Sequence, residues 1–279
     1  MSLKLMYITN DTDIALMAEA NGVDRIFVDM EYIGKSDRQG GMNTVQNQHT
    51  VDDVKRLRKV LTASQLMVRC NPIHEKTEAY CSSEEEIDSI IDAGADIIML
   101  PYFNTVGEVK SFLNFVKGRV KTLLLFETPE SVEVIDDILA LDGIDEVFIG
   151  LNDLSLGYGK KFMFELLADG TVESLCLKFR LKGLPYGFGG IASLGKGLLH
   201  AERVIAEHYR LGSTCAILSR SFCVDFLNKA RSEFFENFSL ELKRVRDYEA
   251  FCLAQNNAFF AHNTEQVGFA ISEIVKAMR

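Results

Sequence analysis

Residues 121–155 read KTLLLFETPESVEVIDDILALDGIDEVFIGLNDLS, and this stretch decides the fold. An unbroken apolar run at 123–126 opens it, and a second run at 147–149 follows near its end. Unbroken apolar runs of this length are typical of parallel strands that are buried on both faces. Between them, Pro129 stands where a helix would begin, and apolar residues follow at 132, 135, 138 and 139. The stretch therefore predicts one strand–helix–strand unit.

The same alternation extends in both directions along the chain. It predicts eight strands, at residues 4–9, 25–30, 65–71, 96–102, 121–127, 146–151, 185–190 and 214–219. Helical patterns lie between them, and those that open at Thr50 and Ser82 begin with capping residues. An open doubly wound sheet would carry a G-x-G-x-x-G motif after its first strand, where this chain has Thr9-Asn10-Asp11-Thr12. We therefore predict a (β/α)8 TIM barrel over residues 1–222.

Residues 223–279 carry only helical patterns and many aromatic residues, which predicts a C-terminal helical extension. The aromatic content exceeds what one helix needs to cover a barrel. Two interpretations stay open. Either the extension packs on a neighbouring subunit and makes a homo-oligomer, or it caps its own barrel.

The composition limits the possible partners. The net charge is −10 and there is no basic stripe, so nucleic acid is not expected as a partner. The six cysteines are scattered without metal-ligand spacing, which favours reduced thiols in a cytoplasmic protein over a disulfide framework. No signal peptide and no apolar run of the ~20 residues that a membrane span needs is expected.

Catalytic residues of such barrels lie where strands end and loops begin. Glu127 ends the fifth predicted strand and Asp153 follows the sixth, so the two carboxylates could meet across one site. Hard oxygen ligands of this kind suit Mg²⁺ or Mn²⁺, with water and substrate completing the coordination. The alternative for either residue is a helix cap or a loop contact.

Five strand-end motifs together resemble the HpcH/HpaI aldolase and citrate lyase β-subunit family. Two are paired at matching separation, namely Phe126-Glu127-Thr128-Pro129 and the segment Gly143-Ile144-Asp145-Glu146-Val147-Phe148-Ile149-Gly150-Leu151-Asn152-Asp153-Leu154-Ser155. The others are Val68-Arg69-Cys70-Asn71, Val28-Asp29-Met30-Glu31 and Met99-Leu100-Pro101. The resemblance covers residues from about 20 to about 222.

The resemblance implies a metal-dependent lyase that acts on a small oxo-acid such as pyruvate. Glu127 and Asp153 would hold Mg²⁺ or Mn²⁺, and Arg69 would face the oxygen on which charge develops. The backbone N–H groups of Asn152 and Asp153 would bind the substrate carboxylate. A surface salt bridge is the alternative for Arg69. At the level of the whole chain, the alternatives are an acyl-CoA ester lyase of the citrate-lyase type and a catalytically altered barrel that binds a metabolite.

The end of strand 2 departs from the family. Asp29 and Glu31 are candidate catalytic residues that would organise the strand-2 side of the site. The residue after Glu31 is histidine in the aldolases and aspartate in the citrate lyases, whereas here it is Tyr32. Tyrosine, with an ordinary pKa near 10, is a poor base at neutral pH. His49 and His74, on loops near the ends of strands 2 and 3, could replace the missing base, with a surface role as the alternative for each. Gln39, Asn43 and His49, in the long loop after strand 2, are further candidate substrate contacts.

Two other residues are candidates for binding the substrate. Gly189 lies in a glycine-rich strand 7, where the backbone could approach a ligand closely, or where glycine is needed to close the barrel. Arg220, after strand 8, could bind a distal anion of the substrate or pair with the C-terminal helices.

Overall fold

The computed structural model describes residues 1–34, 47–219, 222–226 and 229–278. Eight strands follow one another in chain order as a closed parallel barrel, which confirms the predicted (β/α)8 fold. They are β1 Lys4–Ile8, β2 Arg25–Asp29, β3 Gln65–Arg69, β4 Ile97–Leu100, β5 Lys121–Phe126, β6 Glu146–Ile149, β7 Tyr186–Ile191 and β8 Cys215–Leu218.

Twelve α-helices lie in the described part of the chain. They are α1 Thr12–Ala20, α2 Val51–Val60, α3 Ser83–Asp92, α4 Val106–Val116, α5 Pro129–Glu133, α6 Ile135–Leu139, α7 Leu151–Gly157, α8 Glu165–Ala168, α9 Thr171–Lys182, α10 Ala201–Leu211, α11 Arg231–Leu253 and α12 Asn257–Ala277. A 3₁₀ turn, Val224–Phe226, precedes α11. Within the described ranges, no helix is both long and apolar enough to cross a bilayer.

Side-chain caps set the starts of the helices that follow the early strands. Thr50, Ser82 and Thr105 each accept a hydrogen bond from the third residue of their helix and complete a capping box with an acidic residue there. Thr128 caps α5, and Pro129 occupies its first turn as predicted. These local interactions explain why the sequence pattern placed the helix starts well.

A Gly-x-Asp sequence precedes each of the strands β2, β4 and β6. The Asp96 carboxylate accepts a hydrogen bond from the N–H of Leu66 at 2.7 Å, and the Asp145 carboxylate accepts one from Thr122 at 2.8 Å. Asp96 and Asp145 thus tie the starts of β4 and β6 to the start of the preceding strand. The three strands that follow the motif are buried along their whole length.

The chain divides into two compact units, and the first comprises Ile8–Phe148. Its strand starts carry a fully buried ion pair between Arg25 of β2 and Glu146 of β6. Two hydrogen bonds of 2.8 and 2.6 Å join the guanidinium to the carboxylate. The Nε of Arg25 donates to Gln65, the first residue of β3. One network of polar side chains therefore holds the starts of three strands.

The second unit comprises Met1–Tyr7 and Ile149–Arg279. In it, α11 and α12 pack on helix α10 of the same chain. Glu207 accepts hydrogen bonds from Asn263 and Thr264 at 2.9 and 3.0 Å. The buried Glu249 accepts bonds from the N–H of Leu3 at 2.7 Å and from the Tyr209 hydroxyl at 3.0 Å. The extension is helical as predicted, and these contacts attach it to its own chain.

Candidate active site

The centre of the candidate site is an ion pair at the ends of β2 and β3. Asp29 and Arg69 are the last residues of these strands and lie side by side in the parallel register. The Nε and Nη2 of Arg69 each donate to one Asp29 oxygen at 2.8 Å. Two parallel bonds fix the plane of the guanidinium as well as its position. Arg69 therefore makes no surface salt bridge: its side chain is only 15% exposed.

Two more carboxylates surround Arg69. Glu31 lies 3.3 Å from its Nη1, and Glu127 acts on it through its negative charge. Burial lowers the pKa of Arg69, but the charges of Asp29, Glu31 and Glu127 outweigh burial and hold this pKa above its ordinary value. The Phe27 ring lies 5.6 Å below the guanidinium carbon. The site thus contains a rigid, permanently charged cation among buried acids.

The end of the long β2–α2 loop returns to Asp29. Asn47 donates to the Asp29 carboxylate at 3.1 Å, and the Asp29 backbone N–H donates to Nδ1 of His49 at 3.0 Å. A nitrogen that accepts a hydrogen bond carries no proton, so the proton of the neutral His49 ring lies on Nε2. His49 is thus placed beside Asp29, and its Nδ1 lone pair already accepts a hydrogen bond.

The backbone of the loop after β4 holds Glu127. The N–H of Tyr102 donates to Glu127 Oε1 at 3.0 Å, and the hydroxyl of Thr128 donates to the Phe103 carbonyl at 2.8 Å. Tyr102 adopts a left-handed φ of 47°, which costs a non-glycine residue roughly 1–3 kcal/mol. The two bonds stabilise this conformation, and the strained backbone aims one N–H at a buried carboxylate. One Glu127 oxygen thus makes the loop contact that the sequence left open.

Tyr32 lies at the entrance to the β2–α2 loop, where Asn71 holds its backbone. The Asn71 side-chain oxygen accepts bonds from the N–H groups of Tyr32 and Ile33 at 2.8 and 3.0 Å. Burial, together with the charges of Asp29, Asp53 and Glu86, raises the pKa of Tyr32 to about 12. The phenol therefore stays protonated at neutral pH, and Tyr32 can serve as a hydrogen-bond donor but not as a base.

His74 is held within its own loop. Its Nδ1 lies 2.8 Å from the Pro72 carbonyl, and its Nε2 lies 2.9 Å from the Cys81 carbonyl. The Ser83 hydroxyl also contacts Nδ1 at 3.0 Å. Both ring nitrogens thus stabilise the β3–α3 loop. A substrate contact by His74 stays a prediction.

Three further candidates belong to the second unit. Asn152 and Asp153 lie in the first turn of α7, where the N-cap Gly150 provides no side-chain cap, and Asn152 donates to the Asp153 carboxylate at 2.9 Å. Gly189 adopts a left-handed φ of 52°, and a β-carbon there would lie 2.7 Å from the end of the Leu151 side chain, so the fold itself gives a reason for glycine at this position. Substrate contacts by these residues stay predictions, and Gln39, Asn43 and Arg220 lie outside the described residues.

An open cleft lies at the other end of the barrel strands, beside the starts of β3, β4 and β5. Several of its charged groups serve the fold. Arg119 pairs with Asp88, Asp96 pairs with Arg58, and Asp145 binds the Thr122 backbone. The converging carboxylates around Arg69 make the strand ends the better candidate site.

The family model described as HpcH/HpaI aldolase/citrate lyase matches residues 5–165, which is more than half of the chain. The protein belongs to this family. The family is of lyase-type enzymes, so the predicted enzyme class is supported at that level. No curated protein sequence matches the chain.

The folds of several solved structures agree with this family membership. An HpcH/HpaI aldolase from Desulfitobacterium hafniense DCB-2 has a TM-score of 0.58 at 16% identity, covering 78% of this chain and 86% of the other. An HpcH/HpaI aldolase/citrate lyase family protein from Burkholderia cenocepacia J2315 has a TM-score of 0.62 at 14% identity, with coverages of 88% and 94%. The citrate synthase SbnG has a TM-score of 0.59 at 16% identity, with the same coverages.

In this family member, Glu127 offers carboxylate oxygens for a hard divalent cation, because it is buried and is held by a backbone N–H. Carboxylate oxygens are the ligands that Mg²⁺ and Mn²⁺ prefer. Among the described residues, no group of three or more His, Cys, Asp or Glu side chains is arranged as a metal site. A cation here would therefore need substrate or water oxygens as well.

Sequence reasoning missed Glu86 and Tyr102. Glu86 stands four residues before Ile90, on the buried face of α3, and this helical spacing is a signal that could have found it. Tyr102 acts through its backbone in a left-handed conformation. No local pattern of side chains reveals such a contribution.

Proposed function

We propose that the protein is a divalent-metal-dependent aldolase-type lyase that makes or breaks a carbon–carbon bond next to the carbonyl of a small 2-oxo acid such as pyruvate. The observation that carries the proposal is the guanidinium of Arg69, fixed by Asp29 among buried carboxylates at the ends of β2 and β3. Membership of an aldolase/citrate lyase family supports the reaction class.

Glu127 would hold Mg²⁺ or Mn²⁺, with Asp153 as the second ligand that the family resemblance implies. When bound, the cation would supply Lewis-acid stabilisation of the charge that develops on the carbonyl oxygen. The family is generally divalent-metal dependent, which supports this cofactor. The Tyr102 N–H would orient Glu127 before any ligand arrives.

Arg69 would bind the substrate oxygens and stabilise negative charge in the transition state. A guanidinium has five N–H donors, and two of those of Arg69 donate to Asp29. Since its plane is fixed by these bonds, little reorganisation is needed when charge develops beside it. The uncapped first turn of α7 at Asn152 and Asp153 would offer N–H groups to the substrate carboxylate.

The proposal is tested by exchange of the pyruvate methyl protons into deuterated water in the presence of Mn²⁺. We expect metal-dependent exchange, and a loss of roughly 10²–10³-fold in Arg69→Lys, since lysine keeps the charge but not the bidentate geometry. Arg244→Lys on the half-exposed face of α11 is the matched control and should exchange at the wild-type rate. If Arg69→Lys exchanges as fast as this control, Arg69 does not stabilise the enolate.

Metal binding is tested separately by titration with Mn²⁺ and oxalate, an enolate mimic. Glu127→Gln keeps an oxygen for the Tyr102 N–H but loses the negative charge, so we expect weaker Mn²⁺ binding with the fold retained. Asp153→Asn should weaken binding in the same way. If both variants bind Mn²⁺ with the wild-type affinity, Glu127 and Asp153 are not its ligands.

A second candidate is a barrel that binds an oxo-acid without turning it over. The specific observation is that the residue after Glu31 is Tyr32, whose pKa of about 12 excludes a base, while Nδ1 of His49 already accepts a hydrogen bond. This candidate predicts that Mn²⁺ and oxalate bind together while no methyl proton exchanges. The same two measurements therefore distinguish an enzyme from a binding protein.

A further inference from the structure

Glu86 is a buried acid behind the candidate site. It lies in the first turns of α3 and is 6% exposed. Its Oε1 accepts two hydrogen bonds from Asn71, one from the backbone N–H at 3.2 Å and one from the side-chain amide at 2.8 Å. Within the part of the chain that the structure describes, its Oε2 is buried without a hydrogen-bond partner. In the described contacts, the Glu86 carboxylate thus accepts hydrogen bonds from one residue, Asn71.

These bonds determine which way the Asn71 amide faces. A carboxylate oxygen that carries no proton only accepts hydrogen bonds, so the NH₂ of Asn71 faces Glu86 Oε1. The Asn71 oxygen then faces the N–H groups of Tyr32 and Ile33. A flipped amide would place its NH₂ against two N–H donors and its oxygen against a carboxylate. Glu86 and the two N–H groups therefore favour the same orientation, in which Asn71 holds the chain after β2.

The held segment bears directly on the candidate site. Tyr32 and Ile33 immediately follow Glu31, whose carboxylate lies 3.3 Å from Arg69 Nη1. The segment is also the start of the long loop whose other end returns to Asp29 through Asn47 and His49. Fixing the backbone at Tyr32 and Ile33 thus limits how Glu31 can move relative to Arg69.

We propose that Glu86 is a positioning residue of the candidate site, which sets the Asn71 amide and through it the backbone that carries Glu31. Its effect on turnover rests on the lyase function proposed above, whereas its effect on the loop does not. Glu86 touches neither Arg69 nor Glu127 in the described contacts, so it acts only through Asn71.

A purely structural role, in which Glu86 only fills space behind the site, predicts that a neutral side chain of similar length can replace it. Burial raises the pKa of Glu86, although the bonds from Asn71 and the nearby His74 oppose this rise. Glu86→Met removes the buried acid and keeps the side-chain length, but it also leaves two Asn71 donors without their acceptor. Glu86→Gln also removes the charge, but its oxygen can still accept both bonds from Asn71. The two neutral variants therefore separate amide orientation from charge and packing.

The experiment measures amide hydrogen exchange at Tyr32 and Ile33 in the intact chain with each variant. We expect wild-type protection in Glu86→Gln and about tenfold faster exchange in Glu86→Met, the effect of ~1.4 kcal/mol. In a protein that already carries Asn71→Leu, Glu86→Met should not make exchange faster still, because Glu86 acts on this backbone only through Asn71. The proposal is overturned if Glu86→Met keeps wild-type protection of these amides, or if Glu86→Gln loses as much protection as Glu86→Met. It is also overturned if the effects of Asn71→Leu and Glu86→Met on exchange add up in the double variant.

Turnover gives a second readout. Glu86→Met should lower kcat for proton exchange while Mn²⁺ affinity, which Glu127 governs, stays at the wild-type value, and Glu86→Gln should restore kcat. If the wild-type protein shows no turnover, the lyase function fails, and the hydrogen-exchange measurements still decide the role of Glu86. Equal losses of kcat in the two variants would contradict the role in positioning.

Discussion

His208 in α10 is a histidine whose buried environment determines the charge of its ring. Its ring is fully buried, stacks at 3.9 Å between centroids on Phe188 of β7, and contacts the Ser213 hydroxyl through Nδ1 at 2.8 Å. Its Nε2 is buried with no hydrogen-bond partner in the described ranges. Burial lowers the pKa of His208 to about 3. The folded protein therefore keeps this ring neutral where an exposed histidine would ionise.

This shift predicts acid sensitivity with a definite sign. Between the unfolded pKa of about 6.5 and the folded pKa of about 3, the unfolded chain binds a proton at His208 that the folded chain does not, so stability falls as the pH falls through this window. From pH 7.5 to pH 5 the loss from this group is about 2 kcal/mol. Urea denaturation at both pH values should show this loss in the wild type and a correspondingly smaller one in His208→Gln. Equal losses in the two proteins would mean that His208 ionises freely in the fold.

Arginine at a strand position has two different roles in this protein. Arg25 begins β2 and Arg69 ends β3, and each forms a bidentate pair with a carboxylate. Arg25 is fully enclosed with Glu146 at the strand starts, whereas Arg69 lies where the loops gather. In a parallel barrel the strand ends carry the chemistry and the strand starts carry stability. The same pair of residue types is therefore structural at one end and a candidate for catalysis at the other.

At the level of the secondary structure elements, the Arg25–Glu146 pair joins β2 to β6. Glu146→Ala would leave a buried guanidinium without its main partner, so we expect a loss of about 3–5 kcal/mol in the free energy of unfolding. Replacing both residues together, with Arg25→Met and Glu146→Leu, removes both charges and should cost less than the single change. Chemical denaturation of the three proteins measures this order. If the double variant is less stable than Glu146→Ala, the pair contributes more to the free energy of unfolding than the mutual neutralisation of its two charges.

The strands and helices were well predicted because their signals are local. All eight predicted strands are present, with ends that differ by up to two residues. The predicted strands 3, 4 and 6 ended two residues too late, since Cys70-Asn71, Pro101-Tyr102 and Gly150-Leu151 leave the sheet to form loops or the next helix. Period and capping residues are read from a few neighbouring positions, whereas the point at which a strand leaves the sheet depends on contacts with other elements.

For the whole molecule, the C-terminal extension combines an inner face that is attached to its own chain with apolar side chains that remain outside. Phe238 is buried against Tyr7 and Phe222, with ring centroids 5.0 and 5.2 Å apart. On the same two helices, Phe269 is 68% exposed and Leu253 is 53% exposed. These exposed side chains are compatible with the interpretation that the extension packs on a neighbouring subunit.

We propose that a second copy of the chain covers these residues, so that the protein is a homo-oligomer. Light scattering coupled to size-exclusion chromatography should give a mass that is a multiple of 31.3 kDa. Phe269→Lys should shift the protein toward the monomer, while Lys276→Ala on the same helix should not. A wild-type mass equal to one chain would contradict the homo-oligomer.

The sequence by itself determined the alternating strands and helices, the closed parallel barrel and the family, because apolar period, helix caps and strand-end motifs are properties of short segments. It also placed Asp29, Glu31, Arg69 and Glu127 at strand ends. Only the tertiary structure decided that Arg69 forms a bidentate pair with Asp29, that Tyr102 holds Glu127 through a left-handed backbone, and that Glu86 sets the amide of Asn71. These partners come from different elements, and their distances depend on strand register and loop geometry that no local pattern encodes.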